Sequence, residues 1–212
     1  MRKLVIGLAV LAVGSKSSSL AVADESVPAP EIESAVENVP ELIFPIAGEE
    51  RAEPKFAEGK FGAYRPGRSG RRDCGRGHCG IDLCATMGSP VMVVMDGVVA
   101  QIDRSQTGEG GSWIRVEHPN GKTTWYMHLA RIREGIKVGA DVHAGETIAT
   151  LGRTGVTTSP THLHFALTVG KPGRERHLDP TSFLEKAALV AAPVDPEPKK
   201  PKKALRSEAP DL

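Results

Sequence analysis

Trp113-Ile114-Arg115-Val116-Glu117-His118-Pro119-Asn120-Gly121-Lys122-Thr123-Thr124-Trp125-Tyr126 reads as two strands folded back on one another. Apolar and polar side chains alternate through Trp113 to Glu117, the period of two expected of a strand with one buried face. The break falls at Pro119-Asn120-Gly121, where Asn-Gly supplies positive φ at little cost, and the strand pattern resumes at Thr123. Working outward, Val91-Met92-Val93-Val94 stops at Asp96-Gly97 and Val98 to Ile102 follows, which predicts a second hairpin around Asp-Gly. Downstream, Val138-Gly139, Ala144-Gly145, Thr147-Ile148 and Leu151-Gly152 set short runs between closely spaced glycines. Only Thr181 to Val190 has a helical look. The expectation is a mainly β protein: one antiparallel β-sheet or sandwich domain with many turns.

The residues that can build a core are concentrated in the middle of the chain. All nine aromatic residues lie between Phe44 and Phe183, and 20 of the 23 glycines fall between Gly59 and Gly173. Lys and Arg number 27 against 26 Asp and Glu, a net charge of +1, which argues against nucleic acid as an electrostatic partner. No stretch approaches the roughly 18 apolar residues of a membrane span. The basic start Met1-Arg2-Lys3, the apolar run Leu4 to Gly14 and the small residues Ala21-Val22-Ala23 predict a secretory signal over 1–23, cleaved after Ala23. Residues 24–41 are acidic and proline-rich and are expected to form a disordered spacer. Leu42 to Ile46 opens the folded domain, 42–188, and 189–212 is a Pro- and Lys-rich disordered tail. The chain is expected in the periplasm or cell envelope, or secreted.

Two spacings carry chemistry. In His162-Leu163-His164 the imidazoles, two apart on a strand, look into one space while Leu163 and Phe165 look into another. His78 and Asp82 are four apart; Gly75, Gly77 and Gly80 disfavour a helix there, and a straight strand would hold the pair ~13 Å apart. A bend allowed by the glycines would bring His78 back towards Asp82. Two histidines and an aspartate are a donor set for zinc that leaves a position for water. One of the His162/His164 pair and His128, in Tyr126-Met127-His128-Leu129, remain to move protons. His118, at the Pro-Asn-Gly turn, and His143 and His177, in polar loops, read as ordinary hydrogen-bonded residues.

His78-x-x-x-Asp82, Tyr126-x-His128-Leu129 and His162-x-His164-Phe165, in that order, resemble the lysostaphin/LytM-type zinc metallopeptidases. Phe61-Gly62, Gly80-Ile81-Asp82, Gly88-Ser89-Pro90-Val91, Gly97-Val98-Val99 and Gly152-x-Thr154-Gly155 agree with it. The resemblance spans about Ile43 to Leu184. It implies a β core of the duplicated-hybrid-motif type with long loops walling a groove. It implies His78, Asp82 and His164 as ligands of one zinc ion per chain, and His162 and His128 as base and oxyanion stabilisers. It implies cleavage of peptide cross-links of bacterial cell wall, with peptidoglycan stem peptides as partner. A catalytically inactive relative that binds wall or activates an amidase is the alternative. Thr161 and Ala166 depart from the family pattern, in which Pro and an acidic residue are common.

Arg65, Arg68, Arg71, Arg72 and Arg76 crowd one loop against a lone Asp73. They are expected to bind carboxylates of a stem peptide beside the metal, with Arg71, Arg72 and Tyr64 as the substrate-binding candidates. Among Cys74, Cys79 and Cys84 a Cys74–Cys79 disulfide pinning this loop is favoured, with Cys84 packed as a small apolar residue; three pairings are open. A monomer is expected, and a regulatory protein partner is left open.

Overall fold

The computed structural model describes residues 41–48, 50–66 and 73–191. The readings for 1–23, for 24–40 and for the tail beyond residue 191 lie outside the described residues, as do Arg68, Arg71 and Arg72. The described chain is built from β1 (Ile81–Cys84), β2 (Pro90–Met92), β3 (Gly97–Asp103), β4 (Trp113–Glu117), β5 (Lys122–Met127), β6 (Leu129–Ile132), β7 (Asp141–Val142), β8 (Thr147–Leu151), β9 (His162–Val169) and β10 (Arg176–Leu178). The helix α1 (Thr181–Glu185) follows. Strands β1-β9-β5-β4-β3-β7 form the large sheet, in which β10 also pairs with β9, and β2-β8-β6 form a small one. All these pairings are antiparallel. The fold is mainly β, as the sequence pattern requires.

The Asn-Gly hairpin is present: Glu117 faces Thr123 and Ile114 faces Tyr126, with Gly121 at φ 73° in the turn. The Asp-Gly hairpin is not. Strand β2 pairs with β8 in the small sheet, whereas β3 pairs with β4 and β7 in the large one, so Asp96-Gly97 carries the chain between sheets. Long-range pairing overrides the local turn signal here. The Val93 amide donates to Glu146 O and Val93 O accepts from Gly145, while the Val93 and Val94 side chains lie in the core.

One apolar cluster draws on both sheets, with Val99, Ile114, Val116, Tyr126, Leu163 and Phe165 from the large and Val91, Leu129, Ile148 and Leu151 from the small. Leu163 and Phe165 are fully buried. Burying each is worth about 1.5–3 kcal/mol, and a one-residue slip of β9 would put His162 and His164 in their place. The register is therefore strongly specified. A polar chain crosses the core behind β5. Tyr126 accepts from the Val94 amide and sits 3.1 Å from Thr124 Oγ1, which lies 2.8 Å from His118 Nε2; His118 Nδ1 donates to Asp96 O. Burial pushes the Tyr126 phenol up to about 12 and holds His118 below its ordinary value.

The helix is shorter than Thr181 to Val190 because tertiary pairing takes over its second half. Phe44 donates to Ala188 O, Ala188 donates to Leu42 O, and Gly48 donates to Val190 O. Residues 42–48 thus draw 188–190 out of helical geometry. The same segment puts Phe44 and Ile46 into the core.

Candidate active site

Strand β9 sets the positions. His162 and His164 share the face opposite Leu163 and Phe165, and β1 lies alongside with Asp82 facing His164 and Cys84 facing His162. His78 reaches them through the bend at Gly80. A Cβ at position 80 would lie 2.4 Å from Phe165 O and 2.8 Å from His164 Nε2, so only glycine permits the approach. The result is a convergence of three donor atoms. His78 Nε2 and His164 Nδ1 are 2.8 Å apart, His164 Nδ1 and Asp82 Oδ1 2.9 Å, and His78 Nε2 and Asp82 Oδ1 3.1 Å. All three side chains are buried.

This set fits a metal ion. His78 Nδ1 lies 3.0 Å from Lys60 O, which can only accept, so the ring proton is there and Nε2 offers a lone pair to the cluster. Without a shared cation that lone pair would face the Asp82 carboxylate. Tetrahedral bonds of about 2.0–2.1 Å would space the donors by ~3.3 Å, close to the separations present. Burial works to raise the Asp82 carboxyl, but its bonds to His164 and His78 outweigh it and hold the group well below the usual carboxylate range. Burial pushes His164 down to about 4, against the opposing pull of Asp82. The outer oxygen of Asp82, Oδ2, accepts from Arg65 Nη2 at 2.8 Å, which fixes the orientation of the carboxylate.

Two further imidazoles complete the site. His128 donates from Nδ1 to Thr154 O at 2.9 Å, and His162 donates from Nδ1 to Pro160 O at 2.7 Å. In the tautomer these bonds select, the free lone pair of each ring is on Nε2. The His128 and His162 ring centroids are 4.8 Å apart, and His162 Nε2 is 3.6 Å from Asp82 Oδ1. Burial, with the nearby His164 and His162, lowers His128 to about 4, so it is unprotonated at neutral pH. Among the described residues His128 is the one non-glycine residue with positive φ, at 65°. It sits where the chain leaves β5 for β6, its amide donating to Gly110 O and its carbonyl accepting from Gly152. A left-handed residue costs about 1–2 kcal/mol, and the bonds on both sides hold it there.

The donors open on a cleft of about 680 Å³ that Arg65, Trp113, Trp125, Met127, Glu175 and His177 also line. Tyr64 is 62% exposed and is not among the lining residues. Its neighbour Arg65 turns in instead, as alternation along the ribbon of 62–65 against 76–78 demands. Arg65 was expected to meet a substrate carboxylate; the carboxylate it meets is Asp82. Arg76 is exposed. Cys74 and Cys79 are joined by a disulfide that straddles this ribbon, next to His78, and Cys84 is buried with its thiol free. His143 is exposed and His118 lies in the core. His177, read from sequence as a loop residue, is on β10 and lines the cleft, paired with Asp73. Nothing local in the sequence marks it, because β10 is brought there by pairing with β9.

The sequence profile of Peptidase family M23 matches residues 76–180, which hold every histidine and aspartate of the site. The chain is 33% identical to the solved structure of LytU, over 59% of this chain and 81% of that one, with a TM-score of 0.50. The chain belongs to peptidase family M23. Other relatives are glycyl-glycine endopeptidase ALE-1 of Staphylococcus capitis, 34% identical over 113 residues, and peptidoglycan DD-endopeptidase ShyC of Vibrio cholerae, 38% identical over 94 residues. These matches cover 53% and 44% of this chain. They span 30% of ALE-1 and 21% of ShyC, less than a third of either relative. Membership of M23 implies a bound metal, and among the described residues His78, Asp82 and His164 fit one.

Proposed function

We propose that this chain is an exported zinc endopeptidase that hydrolyses peptide cross-links of bacterial peptidoglycan. The observation that carries the reading is the convergence of His78 Nε2, Asp82 Oδ1 and His164 Nδ1 beside two imidazoles whose Nδ1 atoms are anchored and aimed by backbone carbonyls. The names of ALE-1 and ShyC support the substrate class. A buried donor set with both remaining histidines filled speaks against the inactive alternative.

His78, Asp82 and His164 would hold one zinc ion per chain, which would supply Lewis acidity towards water and carbonyl oxygen at this site. The imidazoles do the rest. His162 or His128, with Nε2 unprotonated, takes the proton that the attacking water loses. The ring then carries an Nε2–H, with which it stabilises the oxyanion or protonates the departing amine. Thr154 O and Pro160 O keep both rings in the tautomer this requires. Arg65 holds Asp82 by its outer oxygen, so the inner oxygen stays in the cluster.

Purified sacculi digested with the wild type, His164→Ala and a chelated sample, with muropeptides read by mass spectrometry, test the reading. New amine and carboxyl termini should appear with the wild type alone, together with zinc near one per chain. Identical digests in all three would reject it.

A further inference from the structure

Past the metal donors the floor of the cleft turns aromatic. Met127 faces His164 across the β5–β9 pair, and two residues further along β5, Trp125 faces Ala166. On the next strand Trp125 faces Arg115, and Trp113 lies two residues before it on the same side of the sheet. The two indoles are in contact, with centroids 5.1 Å apart and planes inclined at 46°. Trp113, Trp125 and Met127 are half-buried, and all three line the cleft.

The floor is braced and kept open. The Arg115 guanidinium lies 5.4 Å from the Trp125 ring centre and is held by Glu175 and Glu117, each at 3.0 Å. Glu175 also accepts from the Gly173 amide. Arg115 offsets one of these two carboxylates and Glu175 remains in the cleft lining, while the strip of Trp113, Trp125 and Met127 itself carries no charged side chain. On the β9 side the neighbour of Trp125 is a methyl group, at the position where the family pattern commonly has an acid. Above Trp113 stands Gly110: a Cβ there would lie 3.2 Å from Trp113 Cδ1 and 3.5 Å from Met127 Sδ. Any longer side chain at 110 would cover the floor.

We propose that Trp113, Trp125 and Met127 form a subsite for the stem peptide of the substrate, about two residues from the scissile bond. The inference rests on the endopeptidase reading above. The distance sets the occupant: two residues along a strand is about 7 Å, the span of two residues of extended peptide. Peptide planes and methyl-sized side chains lie flat on indoles, whereas a sugar at the far end of a stem is out of reach. The three floor side chains carry no charge of their own, which separates this subsite from the arginine-rich loop.

Trp113 and Trp125 are the only two tryptophans of the chain, so indole fluorescence reports from this floor. The zinc-loaded full-length His162→Gln protein is titrated with a cross-linked muropeptide and, separately, with peptide-free glycan oligomers. In parallel, KM is measured for Trp113→Ala, Trp125→Ala and Gly110→Leu on long stem fragments and on fragments truncated at the residues flanking the scissile bond. The muropeptide should give a saturable change in emission and the glycan none. Each variant should raise KM for the long fragments about fivefold to tenfold and lose the wild-type preference for long over short. Gly110→Leu keeps both indoles and covers them, so its effect does not depend on a truncated tryptophan folding well. Unchanged emission at saturation, a response to glycan alone, or wild-type KM in the three variants overturns the subsite. Digestion of sacculi is scored on its own. Digestion with wild-type KM in every variant removes the subsite and leaves the endopeptidase; an emission response without digestion does the reverse.

Discussion

Replacing Arg65 by methionine removes the guanidinium that holds Asp82 Oδ2 at 2.8 Å while keeping an unbranched side chain. The bond is charge-assisted, from an arginine 24% exposed to a carboxylate 3% exposed. Hydrogen bonds to charged groups contribute about 1.5–3 kcal/mol. The partial exposure of Arg65 places this one at the low end, about 1.5 kcal/mol, or about tenfold at 1.4 kcal/mol per decade. Outer partners of metal-binding groups are worth 10–100-fold in metal affinity on independent grounds, which agrees. Competition for zinc against a chromophoric chelator should therefore show about tenfold to thirtyfold weaker binding in Arg65→Met, with partial recovery in Arg65→Lys. At saturating zinc, KM for stem fragments should stay within twofold of wild type. The opposite pattern, zinc affinity unchanged and KM raised severalfold, would return Arg65 to the substrate and refute the argument from geometry.

His128→Gln and His162→Gln should each lower kcat by about 10²–10⁴ while zinc still binds at one per chain; either variant keeping a tenth of wild-type activity counts against its role. The metal-free protein should lose stability on mild acidification. Burial and its neighbours lower His128 to about 4, burial lowers His164 to about 4, and burial also lowers His118, all from an unfolded value of about 6.5. Between about pH 6.5 and 4 the unfolded chain then binds more protons than the folded one, so stability falls as pH falls through that window. A urea midpoint at pH 5 equal to or above that at pH 7 would contradict this. Gly111→Ala combines φ +55° with a Cβ 2.2 Å from Thr154 O, the carbonyl that holds His128. It should cost at least about 2 kcal/mol and lower activity together with thermal stability; a neutral variant would mean that the loop packs differently.

Much of the architecture is legible in local patterns. Alternation in Trp113 to Tyr126 and the Asn120-Gly121 turn identify a hairpin that the structure contains, because turn chemistry and side-chain period act within a few residues. The Asp96-Gly97 signal is equally strong in sequence and makes no hairpin, because β8 and β4 compete for the strands on either side of it. The helix beyond Glu185 is lost to the segment at 42–48 for the same reason. For the site, His162-Leu163-His164 places two imidazoles on one face from spacing alone. Tyr64 and Arg65 are adjacent, and nothing in their composition says which one enters the cleft.

What the chain determined by itself is its class and its donors: a mainly β domain, with histidines and an aspartate of the kinds that hold a metal. Those properties follow from side-chain period, glycine freedom and ligand chemistry, each readable over a short window. Tertiary structure alone decided that Asp82 stands beside His164, that Arg65 serves Asp82, that His177 reaches the cleft, and that both tryptophans floor it. Each of these depends on which strand lies beside which, and that is set by burying one shared core rather than by any neighbouring residue.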